Sequence, residues 1–136
     1  MQNNLRLTFK NPSNFRGVFY LYLFLVSINA FGQANLKIKD SKKSFGIVKK
    51  GELVKLKFEF TNTGNEPLII FDVKTECSCT KIEFSKIPIL PNETGELIVL
   101  FDTKSTYDRQ DRIIEIISNS KIKVQKIRFK GVVLNK

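Results

Sequence analysis

The chain has 136 residues, with 23 Lys and Arg against 13 Asp and Glu, for a formal net charge of +10. It contains no His and no Trp, and its one Met is Met1. That length holds a single domain. The missing imidazole excludes Ser-His and Cys-His nucleophile pairs, histidine acid–base chemistry and most metal sites.

The first stretch reads as a leader. Residues 1–17 carry Arg6, Lys10 and Arg16 and no acidic group, and the apolar run Val18–Ile28 follows. Ala30-Phe31-Gly32 then places small residues at the two positions a signal peptidase reads, ahead of Gln33. A basic n-region, a short h-region and such a cleavage site describe a secretory signal peptide. The run stops well short of the roughly 20 apolar residues a bilayer-spanning helix needs. Residues 1–32 are therefore expected to be a cleaved signal peptide and residues 33–136 the mature domain, without a transmembrane anchor. The expected location is outside the cytoplasm: periplasm, outer envelope or extracellular space.

Beyond Gln33 the hydrophobic period is two. Short strands are expected at Asn35–Asp40 and Phe45–Lys49. The clearest strand is Val54–Phe60, where Val54, Leu56, Phe58 and Phe60 face one way and Lys55, Lys57 and Glu59 the other. Strict alternation of this kind marks a half-buried strand of an antiparallel sheet. Turn residues from Thr61 to Pro67 break it. Leu68–Val73 is apolar on both parities around Ile70 and Phe71, and a bulge there would bring Leu68, Ile70 and Val73 onto one face. Further strands are expected at Lys81–Phe84, Gly95–Phe101, Arg112–Ile117 and Ile122–Val133, the last with a change of parity at Gln125-Lys126.

Seven or eight short strands separated by turn signals predict an all-β, Ig-like antiparallel β-sandwich. With no Trp, and with the cysteines two apart, the core rests on Phe and β-branched packing. The expected inward set is Val54, Leu56, Phe58, Phe60, Leu68, Ile70, Val73, Leu97, Val99, Phe101, Ile114, Ile116, Val124, Ile127 and Phe129. Ile98, Leu100, Ile113 and Ile117 point outward and are expected to be partly covered.

Phe58-Glu59-Phe60-Thr61-Asn62-Thr63-Gly64, then Pro67-Leu68, then Cys77-Ser78-Cys79-Thr80 resembles a bacterial family of exported Ig-like domains of unknown function. Its members typically read Phe-x-Phe-x-Asn-x-Gly, then Pro-Leu, then a Cys-Gly-Cys-Thr-like motif. Pro91 with Gly95, Phe101–Lys104 and Ile116–Asn119 match its later blocks, so the resemblance covers residues 45–133. It implies the fold of the major-sperm-protein and ASPM–SPD-2–Hydin group, and it marks Asn62, Gly64, Pro67 and Thr80 as motif positions. Ser78 stands where the family usually has Gly, which restricts the backbone between the cysteines. Ser105–Arg109 lacks the family's usual Gly.

Cys77 and Cys79 form the one site-like constellation. Two cysteines in an exported protein normally pair with each other. Residues two apart on a regular strand sit about 6.6–6.8 Å apart, the upper limit for a disulfide, so a bond requires the chain to pucker at the end of the Val73 strand. Three states stay open: a disulfide without catalysis, free thiols or a soft-metal clip, and a redox-active pair. The metal reading is weak on ligand count, since two thiolates can hold Cu(I) but Zn needs more ligands and no His is available; no cofactor is expected. Cys-x-x-Cys at a helix N-terminus, the thioredoxin-like arrangement, is missing.

Lys37, Lys39, Lys42, Lys43, Lys49 and Lys50 crowd the start of the mature chain, and Lys121, Lys123, Lys126, Arg128, Lys130 and Lys136 load its last strand. On an edge strand such lysines guard against edge-to-edge aggregation; an anionic envelope partner is the alternative. No aromatic–arginine stacking pattern supports nucleic acid. Asp102, Asp108 and Asp111 flank a loop, where such groups are normal, and a small sandwich has little room for a two-carboxylate cleft. The expectation is a non-enzymatic Ig-like module of the cell envelope that binds a protein or another envelope component or serves as structure. The alternative is an envelope thiol protein using Cys77 and Cys79 for redox exchange or copper.

Overall fold

The computed structural model describes residues 32–135, so the expected signal peptide lies almost wholly outside the described residues. Eight strands make two four-stranded sheets packed face to face: β1 (Leu36–Ile38), β2 (Lys42–Lys49), β3 (Leu53–Asn62), β4 (Ile70–Thr75), β5 (Thr80–Phe84), β6 (Thr94–Asp102), β7 (Asp108–Ser118) and β8 (Val124–Leu134). One sheet has the order β1-β3-β6-β5 and the other β2-β8-β7-β4. The β5–β6 and β7–β8 connections stay within one sheet, and the chain otherwise passes from sheet to sheet. This is the expected Ig-like β-sandwich, and each expected strand is present.

The strongest alternation gives the most regular pairing. β3 runs against β6 from Leu53 opposite Asp102 to Thr61 opposite Thr94 without a break. Val54, Phe58 and Phe60 are buried with Leu97, Val99 and Phe101, while Leu56 is half-buried against the same core. Ile114, Ile116, Ile127, Phe129 and Val133 supply the facing sheet. Phe45, Phe101 and Phe129 come together from β2, β6 and β8, with ring centroids 5.4 to 6.2 Å apart in tilted and edge-on arrangements. These are geometries aromatic quadrupoles favour. Gly131 permits the cluster, because a Cβ there would lie 2.4 Å from the Phe45 ring.

The expected bulge falls at Phe71. The β4–β7 register shifts between Ile70 and Asp72, which throws Phe71 outward and keeps Ile70 and Val73 on the inner side. Ile98, Leu100, Ile113 and Ile117 are half-buried on the outer faces, as expected.

Three expectations need correction. β2 and β8 pair in parallel, Lys42 opposite Arg128 through Lys49 opposite Leu134. The chain reaches β2 from the other sheet, so it enters alongside the last strand in the same direction rather than through a hairpin. Secondly, β8 holds one register against β7 from Val124 to Val133, with no change of parity. Gln125 occupies an inward position and its amide donates to the Leu36 carbonyl at 2.7 Å, while Val124 is 44% exposed. A polar side chain with a buried backbone partner mimics an outward residue in the sequence pattern. Thirdly, β8 lies between β2 and β7, so its cations cannot be edge guards. That role falls to Lys42, Lys43 and Lys49 on the edge strand β2.

Candidate functional site

The motif residues separate into two groups at opposite ends of β3. Val54 faces Phe101, which pairs with Thr80, whereas Asn62 ends the strand eight residues later. At about 3.3 Å per residue the two groups stand roughly 26 Å apart.

Asn62 organises the first end. Its Nδ2 donates to the carbonyls of Glu66 at 2.8 Å and Ile89 at 2.9 Å. Its Oδ1 accepts the Gly64 N–H at 3.0 Å and the Asn35 N–H at 3.3 Å. One buried amide thus fastens the chain before β1, the turn after β3 and the β5–β6 loop, and Asn is the side chain with both donors and acceptors for that task. Gly64 lies so close to the 33–35 segment that a Cβ would sit 2.1 Å from the Gln33 carbonyl oxygen. Pro67 presents its carbonyl to Asn119 Nδ2 at 2.9 Å, and Asn119 Oδ1 takes the Ile69 N–H at 2.8 Å. Leu68, fully buried, bridges Ile89. Three sequence blocks therefore meet in one corner, and they hold the fold rather than line an opening.

The second end is the passage from β4 to β5, where the chain crosses between sheets. Cys77 and Cys79 are joined by a disulfide with their Cα atoms 5.2 Å apart. The expected pucker is a turn just past β4: the Thr80 N–H bonds the Cys77 carbonyl at 3.1 Å, and Thr75 Oγ1 donates to the same oxygen at 3.2 Å. The Asp102 N–H bonds the Cys79 carbonyl at 2.9 Å and ties the corner to β6. The Cys79 N–H points at Cys77 Sγ, 3.1 Å away. Among the described residues the non-glycine ones with left-handed φ are Asn92 and Asp108, both at 66°, so Ser78 needs no glycine conformation. Asp108 takes that conformation within the stretch that lacks the family's glycine, and Asp tolerates it better than most residues.

Thr103 lies in the Phe101–Lys104 block, and nothing in the sequence marks a role for it. Fully buried, it donates from Oγ1 to the Glu52 carbonyl at 2.7 Å and accepts the Gly51 N–H at 2.9 Å, clamping the β2–β3 turn. A Thr after a strand end is too common a pattern to have marked it.

Two outer surfaces carry concentrated charge. A groove of about 640 Å³ crosses β3, β6 and the end of β5, with Phe60, Phe84, Ile89 and Ile98 in its lining and Glu59, Glu83, Glu93 and Glu96 around Lys57. Lys57 is ion-paired with Glu96 and Glu59. Its hydrogen bond to Glu96, and then the charge of Glu96, raise its pKa. On the other sheet Lys42, Arg109, Arg128 and Lys130 surround Asp111 in an opening of about 350 Å³. Arg128 grips Asp111 with two guanidinium nitrogens, which holds that carboxyl below its ordinary pKa. No group of three or more His, Cys, Asp or Glu suited to a metal occurs among the described residues.

A family model described as "Protein of unknown function (DUF1573)" matches residues 36–133, most of the chain. The chain belongs to the DUF1573 family. No curated protein matches it in sequence. Among solved structures, a protein of unknown function from Porphyromonas gingivalis W83 superposes with a TM-score of 0.68 at 20% identity. That match covers 79% of this chain and 50% of the other, so the chain spans half the length of that protein. The ASH / PapD-like domain 7 of human CEP192 gives 0.63 at 7% identity, covering 76% of this chain and 88% of that one. The secreted serine protease VesC from Vibrio cholerae gives 0.55 at 13% identity, over 73% of this chain and 23% of that one. These likenesses establish the fold, an Ig-like β-sandwich like that of the ASH / PapD-like domain. DUF1573 is a family of unknown function.

In this DUF1573 domain the disulfide is expected to be a weak staple. A three-residue loop removes only about 1.6 kcal/mol of unfolded-state entropy, and the corner has its own backbone hydrogen bonds. The double variant Cys77→Ser/Cys79→Ser should fold as a β-sandwich and lose about 1–2 kcal/mol or less in urea denaturation. Failure to fold would make the bridge a structural pin.

Proposed function

We propose that the chain is an exported Ig-like module of the cell envelope that binds an extended, basic segment of a protein partner. The groove over β3, β6 and β5 carries the reading. Its volume of about 640 Å³ lies within the range of ligand sites, roughly 300–1,000 Å³. Exposed Ile87 and Pro88 with half-buried Ile98 offer apolar contacts to alternate side chains of an extended segment, and four glutamates against one lysine favour positive charge. Ile87, at the groove, leaves a large apolar side chain exposed to be covered.

Export is supported by the reading of residues 1–32 as a signal peptide and by the disulfide, a bond that oxidising compartments maintain. N-terminal sequencing of exported protein should begin at Gln33 or within a few residues of it. A start at Met1 would remove the signal peptide from the reading.

The binding claim is tested by NMR titration with a synthetic peptide of alternating Lys and Val. Amide shifts should cluster at Lys57, Glu83, Glu96 and Ile98, and binding should weaken with added salt. The charge reversals Glu83→Lys and Glu96→Lys together should weaken it at least tenfold. Shifts confined to other faces, or affinity unchanged by the reversals, would overturn the proposal.

A further inference from the structure

We infer that Cys77–Cys79 is an exchangeable disulfide, in which Cys77 meets the substrate thiol and Cys79 is the resolving cysteine. This activity is independent of the groove and does not rest on the binding role.

Access comes first. The disulfide lines an opening of about 440 Å³ together with Leu53, Ser78, Lys81, Leu100, Asp102 and Ser105. Leu53 is 64% exposed at its rim, beside half-buried Leu100. An exposed leucine next to a reachable disulfide is a seat for an apolar residue flanking a cysteine in a protein substrate.

The two sulfurs are not equivalent. Cys79 packs against the hydrophobic core and lies next to the buried Thr80, with Sγ 3.9 Å from its Oγ1. Cys77 is not part of that packing, and its Sγ receives the Cys79 N–H at 3.1 Å. An N–H aimed at sulfur stabilises a thiolate more than a thiol, so it favours negative charge on Cys77. Lys81 in the same opening adds to that preference, and Asp102 opposes it. Cys77 thus has the features of the outward, charge-bearing partner, and Cys79 those of the inward one.

The fold accommodates both oxidation states. The bonds from Thr80 and Thr75 to the Cys77 carbonyl, and from Asp102 to the Cys79 carbonyl, hold the corner without the sulfur bridge. Breaking the bridge frees little chain entropy because the loop is so short.

The exchange balances as two displacements. A substrate thiolate attacks Cys77 Sγ, forming a mixed disulfide while the Cys77–Cys79 bond breaks and its electron pair leaves on Cys79, which takes a proton from water. A second substrate thiolate then attacks the substrate sulfur of the mixed disulfide. The substrate gains a disulfide, and Cys77 leaves as the thiolate that the Cys79 N–H stabilises. Two electrons pass from a substrate dithiol to the module, and the reverse sequence reduces a substrate disulfide.

Glutathione serves as the probe. Native full chain incubated with reduced glutathione and quenched with N-ethylmaleimide should carry glutathione on Cys77 and maleimide on Cys79, read by tandem mass spectrometry. With oxidised glutathione at pH 7, the Cys79→Ser variant should form its mixed disulfide at least ten times faster than Cys77→Ser. The pH profile of its alkylation should have a midpoint below the ordinary thiol value of about 8.5. Glutathione found on Cys79, equal capture by the two variants, or a disulfide that yields to glutathione only after the chain is unfolded would overturn the assignment. The native-chain measurement decides the matter even if a serine variant fails to fold.

Discussion

Replacing Asn62 with Ala is expected to cost about 4 kcal/mol, from losing a buried amide that makes four hydrogen bonds at about 1 kcal/mol each. Replacing it with Asp is expected to cost more at neutral pH, although the shape is conserved. Asn62 is 0% exposed, and its Nδ2 faces the carbonyl oxygens of Glu66 and Ile89. Asp would set an acceptor, and a desolvated negative charge, against two acceptors. Such a carboxyl has its folded pKa raised above the unfolded value of about 3.9. Its penalty is therefore smallest below that value and grows as pH rises through the folded pKa. The Asp variant should thus regain stability relative to wild type on acidification. Urea midpoints of the three proteins at pH 3 and pH 7 check this. An Asp variant as stable as wild type at pH 7 would show that the amide is not the fastener described.

Phe58→Ala is expected to lose about 3–5 kcal/mol, the usual range for deleting a buried aromatic ring. Phe58 is 1% exposed at the middle of β3, and Lys43 Nζ lies 5.5 Å from its ring centroid. The substitution removes core contacts from both sheets and the cation–π contact of an edge lysine. Phe71→Ala is the matched control: that ring is 58% exposed at the bulge, and its loss should change stability by about 0.5 kcal/mol or less. Comparable losses for the two variants would mean that the bulge does not turn Phe71 outward.

What the sequence made legible follows from how each signal arises. The Val54–Phe60 alternation is set by burial on one face, and burial is what orders β3, so period and structure agree. The bulge at Phe71 was legible for the same reason, since two inward residues of opposite parity need an extra residue between them. The parallel β2–β8 pair was not legible, because strand direction is decided by which elements the chain passes between, and no local pattern encodes that. Gln125 misled because a half-buried amide with a backbone partner looks like a solvent residue. Asn62, Gly64, Pro67 and Cys77–Thr80 stood out as motifs, but only the fold separates a hydrogen-bonded corner from a disulfide at an open one. Leu53 carried no mark, since it owes its position beside the disulfide to the β3–β6 pairing that sets it opposite Asp102, whereas Lys81 sits there simply by following Cys79 in the chain.

The parallel pairing of β2 with β8 also sets the order in which a growing chain becomes a folded one. β2 emerges early, at Lys42–Lys49, yet its hydrogen-bonded neighbour is Arg128–Leu134 near the other end of the sequence. β7, too, waits for β8 along its whole length. Until β8 has been made, β2 has no partner in its sheet, and β7 has only β4. Pairings that join distant parts of a chain form slowly, on the millisecond-to-second scale of all-β domains. Synthesis at about 5–20 residues per second therefore delivers a chain whose second sheet is still unassembled when its last strand appears. The β1-β3-β6-β5 sheet is complete in sequence by Asp102, whereas the other half of the sandwich closes only when β8 takes its place between β2 and β7.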